Sequence, residues 1–347
     1  MNVISAKNVA RAWVNGHAAT IPGFRGAFFH GSANWLADDA TLPETSDLDV
    51  MVVLNSPEPP GKPGKFTYGG VLLEISYLGN ELIGSPEIVL SNYHLAGSFR
   101  TASAISDPFG DLERVQCVVA RDFAQRRWVE ARCRDAERNL RKHLASFDGE
   151  GPFHAQITAW LFATGVTTHL LLVAGLKNPT VRTRYLAARE LLADYGCSEF
   201  YDLLLNQLGC FEMTAAEVAG HLDTLTRAFD AARRYVSTPF PFAADISAAG
   251  RPVAIDGSRA LIARGDHREA IFWIAATYAR CQNVLRHDAP LEVRRQFDPG
   301  FRALVAGLGI ASTADLIRRN RQTLEFLPSV RSQAHAIMAA NPDIRPD

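Results

Sequence analysis

The sequence predicts an α+β chain, a small β-sheet region followed by a larger all-helical region. Two observations carry this. Up to Gly110 the chain is rich in Gly and Pro, and short apolar or β-branched runs at 26–29, 48–54 and 70–78 are separated by turn-rich segments such as NSPEPPGKPGK. From Asp111 onward, long stretches of helix formers carry apolar residues three and four apart.

Each element follows in order. The three apolar runs have strand length, and the continuous run Val50 to Leu54 marks an interior strand covered on both faces. Helices are expected over 111–146, 153–176, 181–194 and 268–286. Thr214 and Glu217 form a Thr-x-x-Glu capping box that opens a further helix through Tyr235, which Ser-Thr-Pro-Phe-Pro-Phe then stops. Residues 237–252 are a linker or a long surface loop. Trp160, Phe162, Trp273 and Tyr278 sit at helical spacing and read as bundle core. Asp107 belongs to a turn, and Asp266 is expected to cap the helix that follows it.

Length and charge narrow the function classes. At about 150 residues per domain, 347 residues make two domains or three, with ample chain for a core. The expected division is 1–110 and 111–347, with a possible further break near 237–252. The 36 Lys and Arg against 37 Asp and Glu give a net charge of -1, too weak a field for nonspecific nucleic-acid binding. The front 110 residues hold six basic against ten acidic side chains, so the remainder is mildly basic. The five cysteines lack C-x-x-C spacing and read as buried thiols of a reducing compartment. The N-terminal segment has no apolar core followed by a small-residue cleavage site, so a cytoplasmic location is expected. The run 157–176 is interrupted by Thr158, Thr164, Thr167, Thr168 and His169, which favours a bundle helix over a membrane span.

The segment Gly26 to Leu54 carries the chemistry. Gly31 lets backbone approach a bound group closely, and Ser32 adds a hydroxyl beside N–H groups able to meet phosphate oxygens. Asp47 and Asp49 are two residues apart, so on a strand both carboxylates project from one face and repel unless a cation lies between them. Mg²⁺ suits that pair, because it takes one or two carboxylates and completes its octahedron with water and phosphate oxygens. Glu74, alone among the apolar residues of VLLEISYL, is positioned to join them as third ligand or as general base. His30 precedes Gly31 and reads as a structural histidine at a strand end.

Gly31-Ser32, the Asp47-x-Asp49 strand and the later Glu74 strand resemble, in that order, the nucleotidyltransferase superfamily that includes polymerase β and the aminoglycoside adenylyltransferases. The antibiotic-modifying and minimal bacterial members look closest. The resemblance covers about 55 residues, Phe24 to Leu78, and implies a small mixed sheet as the catalytic domain. It implies that Gly31 and Ser32 bind the triphosphate, that Asp47, Asp49 and Glu74 bind Mg²⁺, and that the helical region binds the acceptor. Fourteen residues separate Ser32 from Asp47, toward the long end for the family, so the loop carrying Asn34 and Trp35 is elaborated here.

The implied reaction moves a nucleoside monophosphate, AMP from ATP, onto a hydroxyl of a small acceptor, with release of pyrophosphate. Lys177, Arg182 and Arg184, where one helix stops and another begins, are the expected cationic contacts to the triphosphate. The basic balance of the helical region weighs against a polycationic acceptor. Two other readings stand beside this one. The acceptor could be a protein or RNA, as in the short antitoxin-type members, or the chain could hold ATP without turning it over.

Overall fold

The apolar runs of the front region become strands of one sheet. A computed structural model of the chain describes residues 1–56, 60–147 and 149–347; residues 57–59 of the turn-rich NSPEPPGKPGK segment lie outside them. The described residues divide into two compact units, 1–135 with 343–347, and 136–342.

The first unit opens with α1 (Val3–Gly16), whose N-cap Asn2 side chain accepts a hydrogen bond from the Ser5 amide at 3.0 Å. Five strands follow: β1 (Phe24–His30), β2 (Leu48–Leu54), β3 (Gly64–Tyr68), β4 (Val71–Gly79) and β5 (Ala104–Ser106). They lie in the order β3-β4-β2-β1-β5; β2 and β4 are parallel and the other neighbours antiparallel, so the sheet is mixed. β2 is the central strand, as its continuous apolar run predicts.

Alternation along the strands decides which face meets the core. Ala27 and Phe29 of β1, Leu48, Val50 and Val52 of β2, and Leu73 and Ile75 of β4 pack with Ala6, Ala10, Trp13 and Val14 of α1. The intervening residues therefore point to the opposite face, where Phe28 meets Phe99 at 4.7 Å between ring centroids. That is the face on which the acids lie.

Helix α2 (Pro86–Ser91) precedes β5; α3 (Asp111–Asp122) and α4 (Arg126–Ala145) follow it. The single helix expected over 111–146 is thus broken at residues 123–125. The cause is a distant segment: the Arg345 amide donates to the Ala124 carbonyl and the Arg126 amide to the Arg345 carbonyl, each at 2.9 Å. Asp107 sits in its expected turn and also accepts from the Glu113 amide at 2.9 Å, which fixes the start of α3.

The two units part within α4 rather than at Gly110. The second unit continues with α5 (Phe153–Ala174), α6 (Arg184–Asp194), α7 (Ser198–Leu208), α8 (Ala215–Tyr235), α9 (Gly257–Ala263), α10 (His267–Asp288), α11 (Leu291–Gly307) and α12 (Thr313–Ala340). Helices α5 and α10 are buried along most of their length and form its interior. The aromatic core is as expected: Trp160 and Tyr278 are buried, Phe162 meets Phe272, and Tyr278 meets Phe301. The Thr214 capping box is present in both directions. Among the described residues α5 is the one helix long and apolar enough to cross a membrane, and 83% of its apolar window is buried inside the protein.

Three expectations need correction. Residues 237–252 divide nothing among the described residues, because Thr238 is tied to Asp288 and Asp245 to Arg280 inside the helical unit. Asp266 stands at the N-cap position of α10 without a capping hydrogen bond, since its carboxylate is drawn to Arg189 and Arg264. Of the five cysteines only Cys210 and Cys281 are buried; Cys117 is exposed on α3, where it faces away from the apolar stripe of Leu112, Val115 and Val119.

Candidate functional site

Backbone register assembles the site. On adjacent strands His30 pairs with Asp49, Asp49 with Glu74, and Glu74 with Lys65, so β1, β2, β4 and β3 each contribute one residue to a row across the sheet. Asp47 immediately precedes β2 and lies two residues from Asp49, on the same side. The structure brings together the three acids that the sequence singles out. One ligand oxygen from each of Asp47, Asp49 and Glu74 lies within 4.8 Å of the others, and all three side chains are half-buried.

Gly31 has a defined reason to be glycine. It follows β1 in a 3₁₀ turn, Gly31–Asn34, with φ of +66°, and a Cβ built on it would run into the Asp49 carboxylate. Backbone and carboxylate thus share a space with no room for a side chain. Ser32 lies in the same turn, its carbonyl accepting from the Trp35 amide at 2.9 Å. At the end of that turn the Asn34 side-chain amide donates to the Phe29 carbonyl, and Trp35, just beyond it, lies under the Arg100 guanidinium.

Two lysines beside the acids were not expected. The Lys65 ammonium donates to Asp47 at 2.8 Å and also to Glu74, from a side chain only 6% exposed. Burial pushes the Asp47 carboxyl up, but the charge and hydrogen bond of Lys65 outweigh it and leave the group below the ordinary carboxylate range. Lys62 stands farther out, 4.0 Å from Glu74. His30, at the other end of the row, shares a hydrogen bond of 2.6 Å with the Ser98 hydroxyl, and burial pushes its pKa down to about 4, so at neutral pH it is uncharged.

The donor set fits a hard divalent cation. Carboxylate oxygens match Mg²⁺ or Mn²⁺, and no thiol or imidazole competes among the three grouped residues. The glycine turn brings backbone against Asp49, while the Lys65 ammonium already bonded to Asp47 and Glu74 offsets part of the negative charge a metal ion would meet.

The basic residues expected at the triphosphate belong to the helical unit. Lys177 lies 3.9 Å from Asp194. Arg182 is half-buried in the segment before α6. Arg184 is 1% exposed, donates from Nε to the Val181 carbonyl at 2.8 Å, and stacks its guanidinium on Phe272 at 3.9 Å. That burial makes Arg184 a packing residue of the bundle.

No protein-family model matches the chain, and no curated protein matches its sequence.

Proposed function

We propose that this chain is a Mg²⁺-dependent nucleotidyltransferase that moves AMP from ATP to a hydroxyl of a small acceptor. The observation that carries the reading is the convergence of Asp47, Asp49 and Glu74 on one face of a mixed sheet beside the Gly31 turn. In this reading Asp47 and Asp49 hold Mg²⁺, which supplies Lewis-acid polarisation of the phosphoryl group under attack. The acceptor oxygen forms a bond to the α-phosphorus as the bond to the bridging oxygen breaks, and pyrophosphate leaves with that electron pair. Glu74 takes the proton of the attacking hydroxyl on a carboxylate oxygen, held in orientation by Lys65. Gly31 and Ser32 present backbone to the phosphates.

The test is pyrophosphate release from ATP and Mg²⁺ across a panel of hydroxyl acceptors. Release with at least one acceptor, abolished by Asp49→Asn, supports the enzyme; background release with every acceptor sinks it.

A second reading is favoured by Lys65. An ammonium bonded to two of the three acids is also what a chain that binds nucleotide without turning it over would keep. Calorimetry separates the two: ATP binding that Asp47→Asn leaves unchanged, with no pyrophosphate released, supports the non-catalytic reading.

A further inference from the structure

The geometry points to a second ligand site within the helical unit: a cavity between α8 and α11 that binds an elongated dicarboxylate, one carboxylate on Arg227 and the other on Arg234. The inference is independent of the nucleotidyltransferase reading.

The state of the two arginines comes first. Both line this cavity, whose volume of about 440 Å³ suits a small organic ligand. Neither guanidinium forms a hydrogen bond or an ion pair among the described residues. Other exposed arginines of the same unit are engaged: Arg233 lies 3.9 Å from Asp230, Arg259 3.8 Å from Asp223 and Arg302 2.6 Å from Asp298. Two unpaired guanidiniums lining one hollow draw an anion to it.

Spacing decides which kind of anion. Residues 227 and 234 are seven apart, so they share one face of α8 and stand about 10 Å apart along its axis. Asp230 lies between them on that face and also lines the cavity, held by Arg251 at 3.4 Å and by Arg233. The charges along the helix therefore run plus, minus, plus. An anionic group placed midway would meet the Asp230 carboxylate, whereas one at each end meets a guanidinium. A carboxylate carries a single charge and matches the planar fork of one arginine. A phosphate monoester brings up to two charges and would be left half neutralised.

The walls account for the middle of the ligand. Ala231 of α8 with Val293 and Phe297 of α11 offer apolar surface to an aliphatic chain. The α11 wall is fixed in place, because the Phe297 carbonyl accepts from the Tyr278 hydroxyl at 3.3 Å and from the Gln282 side-chain amide at 3.1 Å, both on α10. A neighbouring cavity beyond Val236 shares Arg234, but its other arginine, Arg233, is the one drawn to Asp230. It offers one unpaired guanidinium where the α8–α11 cavity offers two.

The experiment is calorimetric titration of the full chain with decanedioate, and with decanoate, malonate and uncharged decanediol for comparison. Decanedioate is expected to bind, decanoate at least tenfold more weakly, and malonate, too short to span the two arginines, and decanediol not detectably. Arg227→Gln and Arg234→Gln should each weaken decanedioate binding at least tenfold, to the level of decanoate. Both should keep the wild-type melting temperature without ligand, since neither guanidinium has a partner to lose. Arg295→Gln, which removes an exposed α11 arginine outside the cavity, should bind decanedioate like wild type. Absence of decanedioate binding by wild type, equal binding of decanoate, or the same loss in Arg295→Gln as in the two cavity variants overturns the inference.

Discussion

Lys65 and Glu74 face each other across β3 and β4, and the same ammonium reaches Asp47 at 2.8 Å, so one lysine joins an acid on the central strand's approach to an acid on its neighbour. Glu74 is therefore held from two sides, by its own strand's packing and by a fixed positive charge. A carboxylate so held has one orientation toward whatever occupies the cluster, which is what a proton acceptor in an in-line displacement needs.

Under the proposed reaction, Glu74→Gln preserves the shape and one oxygen donor but removes the group assigned as proton acceptor. Pyrophosphate release is expected to fall by about 10²–10⁴-fold, with no recovery on raising Mg²⁺. Recovery at high Mg²⁺ would instead make Glu74 chiefly a metal ligand, and unchanged release would remove it from the site.

Gly31→Ala forces a Cβ toward the Asp49 carboxylate at a backbone φ of +66°. The strained conformation costs about 1–3 kcal/mol, and the carboxylate must shift to make room. Urea denaturation should show the loss of stability and Mn²⁺ binding should weaken in the same variant. A Gly31→Ala protein that melts and binds Mn²⁺ like wild type would mean that the turn relaxes freely and has no part in placing Asp49.

In the helical unit Glu269 is 1% exposed, yet it accepts hydrogen bonds from Tyr201 and Arg189, both at 2.7 Å. Arg189→Met leaves that carboxylate buried with only the tyrosine hydroxyl and also takes a partner from Asp266. Because Arg189 is itself partly exposed, the cost should fall near the lower end of the range for a broken buried pair, about 3 kcal/mol. Adding Glu269→Gln removes the stranded charge, so the double variant should be more stable in urea than Arg189→Met alone. If it is less stable, the pair is not coupled through charge.

How much of this was legible follows from particular residues. Asp47 and Asp49 could be placed on one face because strand alternation is strictly local, and Glu74 stood out as one acid in an apolar run. Lys65 was not placed, since its short strand follows a Pro- and Gly-rich segment; the signal was nonetheless there, in Gly69-Gly70 as a two-residue hairpin that pairs Tyr68 with Val71 and hence Lys65 with Glu74. Helix α1 also carried a readable pattern in Val3, Ala6, Ala10, Trp13 and Val14. The break between α3 and α4 had no such signal. Residues 123–125 contain neither Gly nor Pro, and what holds the chain there is pairing with Arg345, more than two hundred residues away. Burial of Arg184 and diversion of Asp266 from its cap have the same origin in tertiary partners that no local window contains.

His154 provides the pH dependence. It is buried at the start of α5, where burial pushes its pKa down to about 4, against a hydrogen bond of 3.2 Å to the Asn283 side chain that works the other way. Unfolded, the same imidazole titrates near 6.5, so below that pH the unfolded chain binds a proton that the folded chain refuses. Its contribution is thus fully present above about pH 6.5 and is lost as pH falls toward about 4, amounting to about 2 kcal/mol at pH 5. His30 shifts in the same direction, so wild-type stability alone would not assign the effect. The measurement is the difference between wild type and His154→Gln in urea denaturation at pH 7.5 and pH 5. Glutamine does not titrate, so the variant should lose less stability over that interval, by about the amount stated. Equal losses in the two proteins would mean that His154 is protonated in the folded chain and that the surrounding helices give way to accommodate it.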